Sequence, residues 1–87
     1  MSEPPRIEFP CSYPIKVMGE NTPSLRDDVL AVFAQLTELD LDVPVTERAS
    51  GAARFVSVTV TIIATGAEQL SLLHDRLRAV PGVKLVL

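Results

Sequence analysis

Few residues of this 87-residue sequence combine a reactive side chain with the spacing that catalysis requires. His74 is the only histidine, and it stands between Leu73 and Leu77 in an apolar repeat. A catalytic histidine needs an oriented nucleophile or a metal beside it, and no spacing in the sequence supplies either. Cys11 is the only cysteine, so a nucleophilic thiol would likewise need a base that the sequence does not place nearby. We therefore expect His74 to be a histidine at the flank of a helix, Cys11 to have a structural or incidental role, and the protein not to be an enzyme.

The acidic residues do not form a cation-binding motif. Glu38, Asp40 and Asp42 alternate like the first ligands of a calcium loop, but no glycine follows at the sixth position and no glutamate at the twelfth. Asp27 and Asp28 stand near the start of a predicted helix, where negative charge suits the helix dipole. We expect neither a metal nor a cofactor.

Charge and composition narrow the classes of partner. The formal charge is −3, and the eight Lys and Arg residues are scattered, which argues against binding to a nucleic-acid backbone. No segment approaches the roughly 20 apolar residues of a membrane span, and the first residues lack a signal-peptide pattern. We expect a cytoplasmic protein with no membrane contact, built from an extended arm over residues 1–10 and one domain over residues 11–87.

The pattern around which the domain is organised is the alternation in Phe55–Ala64, which is typical of a central strand. One of its faces is wholly apolar, so we expect helices on that side only. Further strands are predicted over Tyr13–Met18, Val43–Arg48 and Val83–Leu87. Pro44 makes the second of these an edge strand, because proline cannot donate to a neighbouring strand.

Two helices separate these strands. Thr22 and Pro23 predict the start of the first, with a capping hydroxyl followed by a proline at the first helical position. Thr65-Gly66-Ala67-Glu68 matches a capping box and predicts the start of the second, and Pro81-Gly82 predicts its end.

The order strand, helix, strand, strand, helix, strand predicts an α+β fold of the ferredoxin-like βαββαβ type. We expect a four-stranded antiparallel sheet of order 4-1-3-2 with both helices on one face. The opposite, open face is predicted to carry the candidate interaction residues Lys16, Met18, Phe55, Thr59, Thr61, Ile63 and Val86.

Several segments together resemble the YbeD-like family, small bacterial proteins of unknown function. They are Phe9-Pro10, Tyr13–Gly19, Ser57–Thr61, Glu68–Leu70 and Val83–Leu87, and the resemblance covers nearly the whole chain. It implies a βαββαβ fold similar to ACT-type regulatory domains, which bind amino acids in metabolic enzymes. It implies no known activity.

Two functions remain open. The first is an adaptor or regulatory module that forms a homo-oligomer through the open face or a sheet edge and meets an unidentified protein partner. The second is an ACT-like sensor of an amino acid or carboxylate. In that hypothesis Gly19 allows close backbone approach, and Asn21 and Thr22 supply hydrogen bonds at a helix N-terminus. The same three residues are also explained as a turn between strand and helix.

Overall fold

The computed structural model describes residues 8–87, so residues 1–7 of the predicted arm lie outside the described part. Within residues 8–87, two helices and five strands follow one another. Their order is β1 (Cys11–Glu20), α1 (Pro23–Leu36), β2 (Glu38–Leu39), β3 (Thr46–Ser50), β4 (Phe55–Ala64), α2 (Ala67–Arg78) and β5 (Val83–Val86).

The centre of the sheet is the antiparallel pair of β1 and β4, which runs from the pair Cys11 and Ala64 to the pair Glu20 and Phe55. The sheet follows the path β2-β4-β1-β5, and β3 also pairs with β4. The α+β class is therefore confirmed. The expectation of four strands is corrected to five, because two short strands, β2 and β3, share the edge beside β4.

The edge is split where the chain leaves the sheet between β2 and β3. The Asp42 N–H donates to the side chain of Asp40 (3.1 Å), and the Val43 N–H donates to the Asp40 carbonyl (3.1 Å). Pro44 follows in this excursion and has no N–H to offer β4. The strand predicted over residues 43–48 consequently forms later, at Thr46–Ser50.

The apolar face of β4 packs against both helices, as its alternation predicts. Val58, Val60 and Ile62 are completely buried. They share one core with β1 and with both helices, whose buried members include Phe33 of α1 and Leu73 of α2. The helices therefore cover one side of the sheet, and the other side is its open face.

The start of α1 is confirmed, whereas the capping box of α2 is corrected. The Leu25 N–H donates to the hydroxyl of Thr22 (3.3 Å), with Pro23 in the first helical turn. At α2 the N-cap is Gly66, and no side chain of the described residues caps the helix. In a capping box the Glu68 side chain would accept the Thr65 N–H. Here Oε1 of Gln69 accepts it instead (2.8 Å).

Candidate functional site

The turn between β1 and α1 holds two of the predicted ligand-binding residues, and both are engaged within the chain. The Asn21 side-chain amide donates to the Ala53 carbonyl (2.9 Å), and the Asn21 backbone N–H donates to the Arg54 carbonyl (2.9 Å). The Thr22 hydroxyl caps α1. Asn21 thus ties the start of α1 to the turn that connects β3 with β4.

Gly19, the third predicted ligand-binding residue, is buried at a close approach of two backbone segments. A Cβ atom at this position would lie 2.6 Å from the Gly82 carbonyl oxygen and 3.1 Å from the Val83 Cα. Glycine is needed here because the turn before β5 occupies the space that a side chain would take.

A cleft opens beside this turn, between the start of α1 and the edge of the sheet. Its volume is about 570 Å³, and its walls are Asn21, Thr22, Pro23, Arg26, Asp27, Glu47 and Val56. Arg26 Nε lies 3.1 Å from Glu47 Oε1, and both side chains are substantially exposed. An exposed ion pair contributes little to stability. Because both side chains are exposed, their charges are accessible to a molecule that carries one positive and one negative charge.

Neither Arg26 nor Glu47 is predicted from the sequence as a site residue. They come from α1 and β3, and only the sheet register brings them together, because Glu47 pairs with Val58 and so points to the helix side. The available signal was Arg26 itself, a basic residue early in α1, where positive charge is unfavourable to the helix dipole.

The open face carries most of the predicted interaction residues. The β1–β4 register places Lys16 opposite Thr59 and Met18 opposite Ser57 on this side. Phe55 is 40% exposed. Met18, Thr59 and Ile63 are half-buried. This part of the sheet therefore displays apolar side chains among hydroxyl and amine groups.

Thr61 differs from these neighbours because its surroundings cover it. Only 8% of it is exposed. Pro14 lies opposite it on β1, and on the other side the Asp40 N–H donates to its carbonyl (3.0 Å). The Ser12 hydroxyl donates to the Asp40 carboxylate across β4. One end of the open face is thus closed by contacts within the chain.

The predicted place of Val86 is corrected by the register of β5. Val86 pairs with Val17 and packs against the core, on the helix side of the sheet. Leu85 pairs with Met18 on the open face. A register shift between Met18 and Gly19 interrupts the alternation of this short strand, and the sequence alone does not reveal that shift.

The two residues first considered for catalysis stand apart from both regions. Cys11 starts β1 and packs against the core, and His74 is half-buried on α2. Within residues 8–87, no three His, Cys, Asp or Glu residues are grouped so that they could hold a metal ion. No helix in this part of the chain is both long and apolar enough to cross a membrane.

The comparisons with known proteins agree on a family. The model of the family described as "Protein of unknown function (DUF493)" matches residues 4–87. A UPF0250 protein of Pseudomonas aeruginosa is 45% identical over 87 residues, which cover 98% of this chain and 92% of that protein. A UPF0250 protein of Azotobacter vinelandii is 47% identical over 85 residues, with 95% and 91% covered.

Similar solved structures support the fold alone. The ACT domain from the GTP pyrophosphokinase of Chlorobium tepidum has a TM-score of 0.71 at 20% identity, covering 88% of this chain and 97% of that chain. Protein HP0495 of H. pylori has a TM-score of 0.67 at 19% identity, with 99% and 90% covered. The resemblance drawn from the sequence motifs is thus confirmed, and this chain belongs to the DUF493 or UPF0250 family, the YbeD-like proteins of unknown function, with an ACT-like fold.

Proposed function

We propose that this protein is a small, non-enzymatic cytoplasmic module that associates with itself and serves as an adaptor or regulator. The observation that carries this proposal is the distribution of exposed apolar side chains. Phe55, Leu85 and Leu87 are 40%, 46% and 60% exposed on the open side of the sheet. A domain of this size gains stability by covering such groups, and a second copy is always available to do so.

The polar groups around these side chains suit a protein partner. Lys16 and the hydroxyls of Ser57 and Thr59 lie beside Met18 on the open face. An interface with an apolar centre and hydrogen-bonding groups at its rim has this composition. The lone Cys11 suits a reducing compartment, where no disulfide is needed.

The solution mass tests the proposal. Static light scattering across a wide range of protein concentration is expected to show a dimer or larger species that forms as concentration rises. Leu41→Lys tests whether an added positive charge by itself changes the association, because Leu41 is almost fully exposed and lies outside the strands. This variant should associate like the unchanged protein. A monomer at every concentration contradicts the proposal.

A second candidate function, sensing of an amino acid, is favoured by the cleft beside α1. Its walls offer Arg26 for a carboxylate and Glu47 for an ammonium group, and Arg26 Nε lies 3.1 Å from Glu47 Oε1. The first N–H groups of α1 lie at the same end of the helix. The similarity to the ACT domain of a GTP pyrophosphokinase supports this candidate at the level of fold.

Thermal unfolding in the presence of single amino acids tests the sensor. A ligand that binds only the folded state stabilises it, by about 2.7 kcal/mol at 100 times its Kd. One amino acid of the panel is expected to raise Tm, and Arg26→Ala should abolish that rise without changing Tm in buffer. Arg78→Ala, on the exposed surface of α2, is the control. An unchanged Tm across the whole panel contradicts this candidate.

A further inference from the structure

The two edges of the sheet differ in how well they resist pairing with another strand. β3 has five exposed residues, two of which, Glu47 and Arg48, are charged, and none of which is large and apolar. At β5, by contrast, Leu85 and the following Leu87 are exposed and there is no proline. Proteins commonly protect edge strands with proline or charged side chains. β5 is therefore the less protected edge.

β5 contains one charged side chain. Lys84 Nζ lies 3.7 Å from Glu20 Oε1 of the same chain. An edge lysine discourages association because its charge must be desolvated or must face a like charge. β5 therefore has less electrostatic protection than β3, which carries both Glu47 and Arg48.

The backbone of β5 offers hydrogen-bonding groups to the outside. The Leu87 N–H donates to the Lys16 carbonyl (2.8 Å), and the Leu87 carbonyl accepts the Lys16 N–H (3.0 Å). In an antiparallel pair these exchanges occur at every second residue, so the N–H and C=O of Val86 point away from β1. This orientation agrees with the position of Val86 opposite Val17.

We propose that two copies of this chain join edge to edge through β5, in antiparallel orientation, with the two-fold axis at Val86. This inference rests on the self-association proposed above and assigns it to Leu85 and Leu87 at β5, whereas Phe55 of β4 stays on the open face outside this contact. Val86 of each copy exchanges both backbone hydrogen bonds with Val86 of the second copy. Leu85 then lies opposite Leu87 of the second copy, twice per dimer, on the open face.

A second copy suits this edge because the pairing is self-complementary. The exposed leucines cover one another, and Lys84 of each copy lies at opposite ends of the paired segment, beside its own Glu20. A short strand pair buries less than the roughly 1,200 Å² of a standard stable interface. The dimer is therefore expected to be concentration-dependent.

The test compares two lysine variants by sedimentation equilibrium. Leu85→Lys/Leu87→Lys places positive charges opposite one another across the proposed edge, whereas Leu72→Lys changes a side chain of nearly the same exposure, 45%, on α2. The edge variant should weaken the dimerisation Kd at least about tenfold, which is about 1.4 kcal/mol. Leu72→Lys should leave Kd unchanged. Circular dichroism checks that both variants fold.

Hydrogen exchange in the unchanged protein gives a readout that needs no variant. The Val86 amide should exchange slowly at high protein concentration and quickly on dilution, because it points away from β1 and the proposed dimer supplies its partner. A dimer that keeps its Kd in the edge variant and leaves the Val86 amide unprotected overturns this inference while self-association stands. A protein that is monomeric at every concentration overturns the proposed function as well.

Discussion

Gln69 of α2 is hydrogen-bonded to Leu36 at the end of α1. Its Nε2 donates to the Leu36 carbonyl (3.3 Å), while its Oε1 accepts the Thr65 N–H (2.8 Å). One side chain thereby provides a hydrogen-bond partner for a backbone carbonyl at the C-terminal end of α1 and for a backbone N–H just before α2. The amide of Gln69 can do both, whereas an ionised carboxylate in its place would have no N–H to donate.

These two hydrogen bonds of Gln69 predict that Gln69→Glu destabilises the domain by about 1 kcal/mol. The carboxylate has no N–H to donate to Leu36, and its oxygen would face the Leu36 carbonyl oxygen, so two acceptors would repel each other. Urea denaturation measures the change in the free energy of unfolding. Ser71→Ala, an exposed substitution in the same helix, is the control and should remain within about 0.5 kcal/mol of the unchanged protein. A Gln69→Glu variant of equal stability would show that the contact between the helices is unimportant.

We expect Asn21 to stabilise the domain as well, because its side-chain N–H group donates a hydrogen bond to the Ala53 carbonyl. Asn21→Asp keeps the shape and removes the donor, so we expect a loss of about 1 kcal/mol. Asn21→Ala should lose a similar amount. Chemical denaturation measures the free energy of unfolding of both variants. An Asn21→Asp variant as stable as the unchanged protein would contradict a role of Asn21 as donor.

Gly19 and Gly66 form a matched pair for testing close backbone approach. Gly19→Ala should cost about 1–3 kcal/mol, because its Cβ would meet a backbone oxygen at 2.6 Å. Gly66→Ser should change stability by no more than about 0.5 kcal/mol, since a Cβ there meets no atom of the described residues within 4 Å and serine is at least as favourable as glycine at an N-cap. Thermal unfolding of the two variants gives the comparison, and equal effects would refute the steric explanation.

The turn between β3 and β4 contains two alanines with positive φ, 57° at Ala52 and 65° at Ala53. This conformation costs a non-glycine residue about 1 kcal/mol or more, and glycine adopts it freely. Ala53→Gly should therefore leave the free energy of unfolding unchanged or raise it by up to about 1 kcal/mol. Ala31→Gly, in the exposed surface of α1, should lower it by about 1 kcal/mol. Calorimetry distinguishes the two, and equal losses would contradict the strained turn.

Much of the architecture could be predicted because local patterns determine it. The alternation in β4 assigns Val58 and Val60 to the core, and both are completely buried. Thr22 and Pro23 mark the start of α1, where the hydroxyl caps the helix. Hydrophobic burial and capping depend on residues that are close in sequence, so periodicity and composition suffice to locate these elements.

The tertiary structure decided what depends on residues distant in sequence. The split edge, the place of Val86 on the helix side and the meeting of Arg26 with Glu47 all follow from strand register, which no single segment carries. Gly19 is required because the turn before β5 fills its side-chain space. The sequence by itself determined the class of fold and the core, since the local periodicity of apolar residues identifies the face of each strand or helix that is buried. Register and packing between distant segments decided the cleft and the exposed edge, because they depend on how the whole chain fits together.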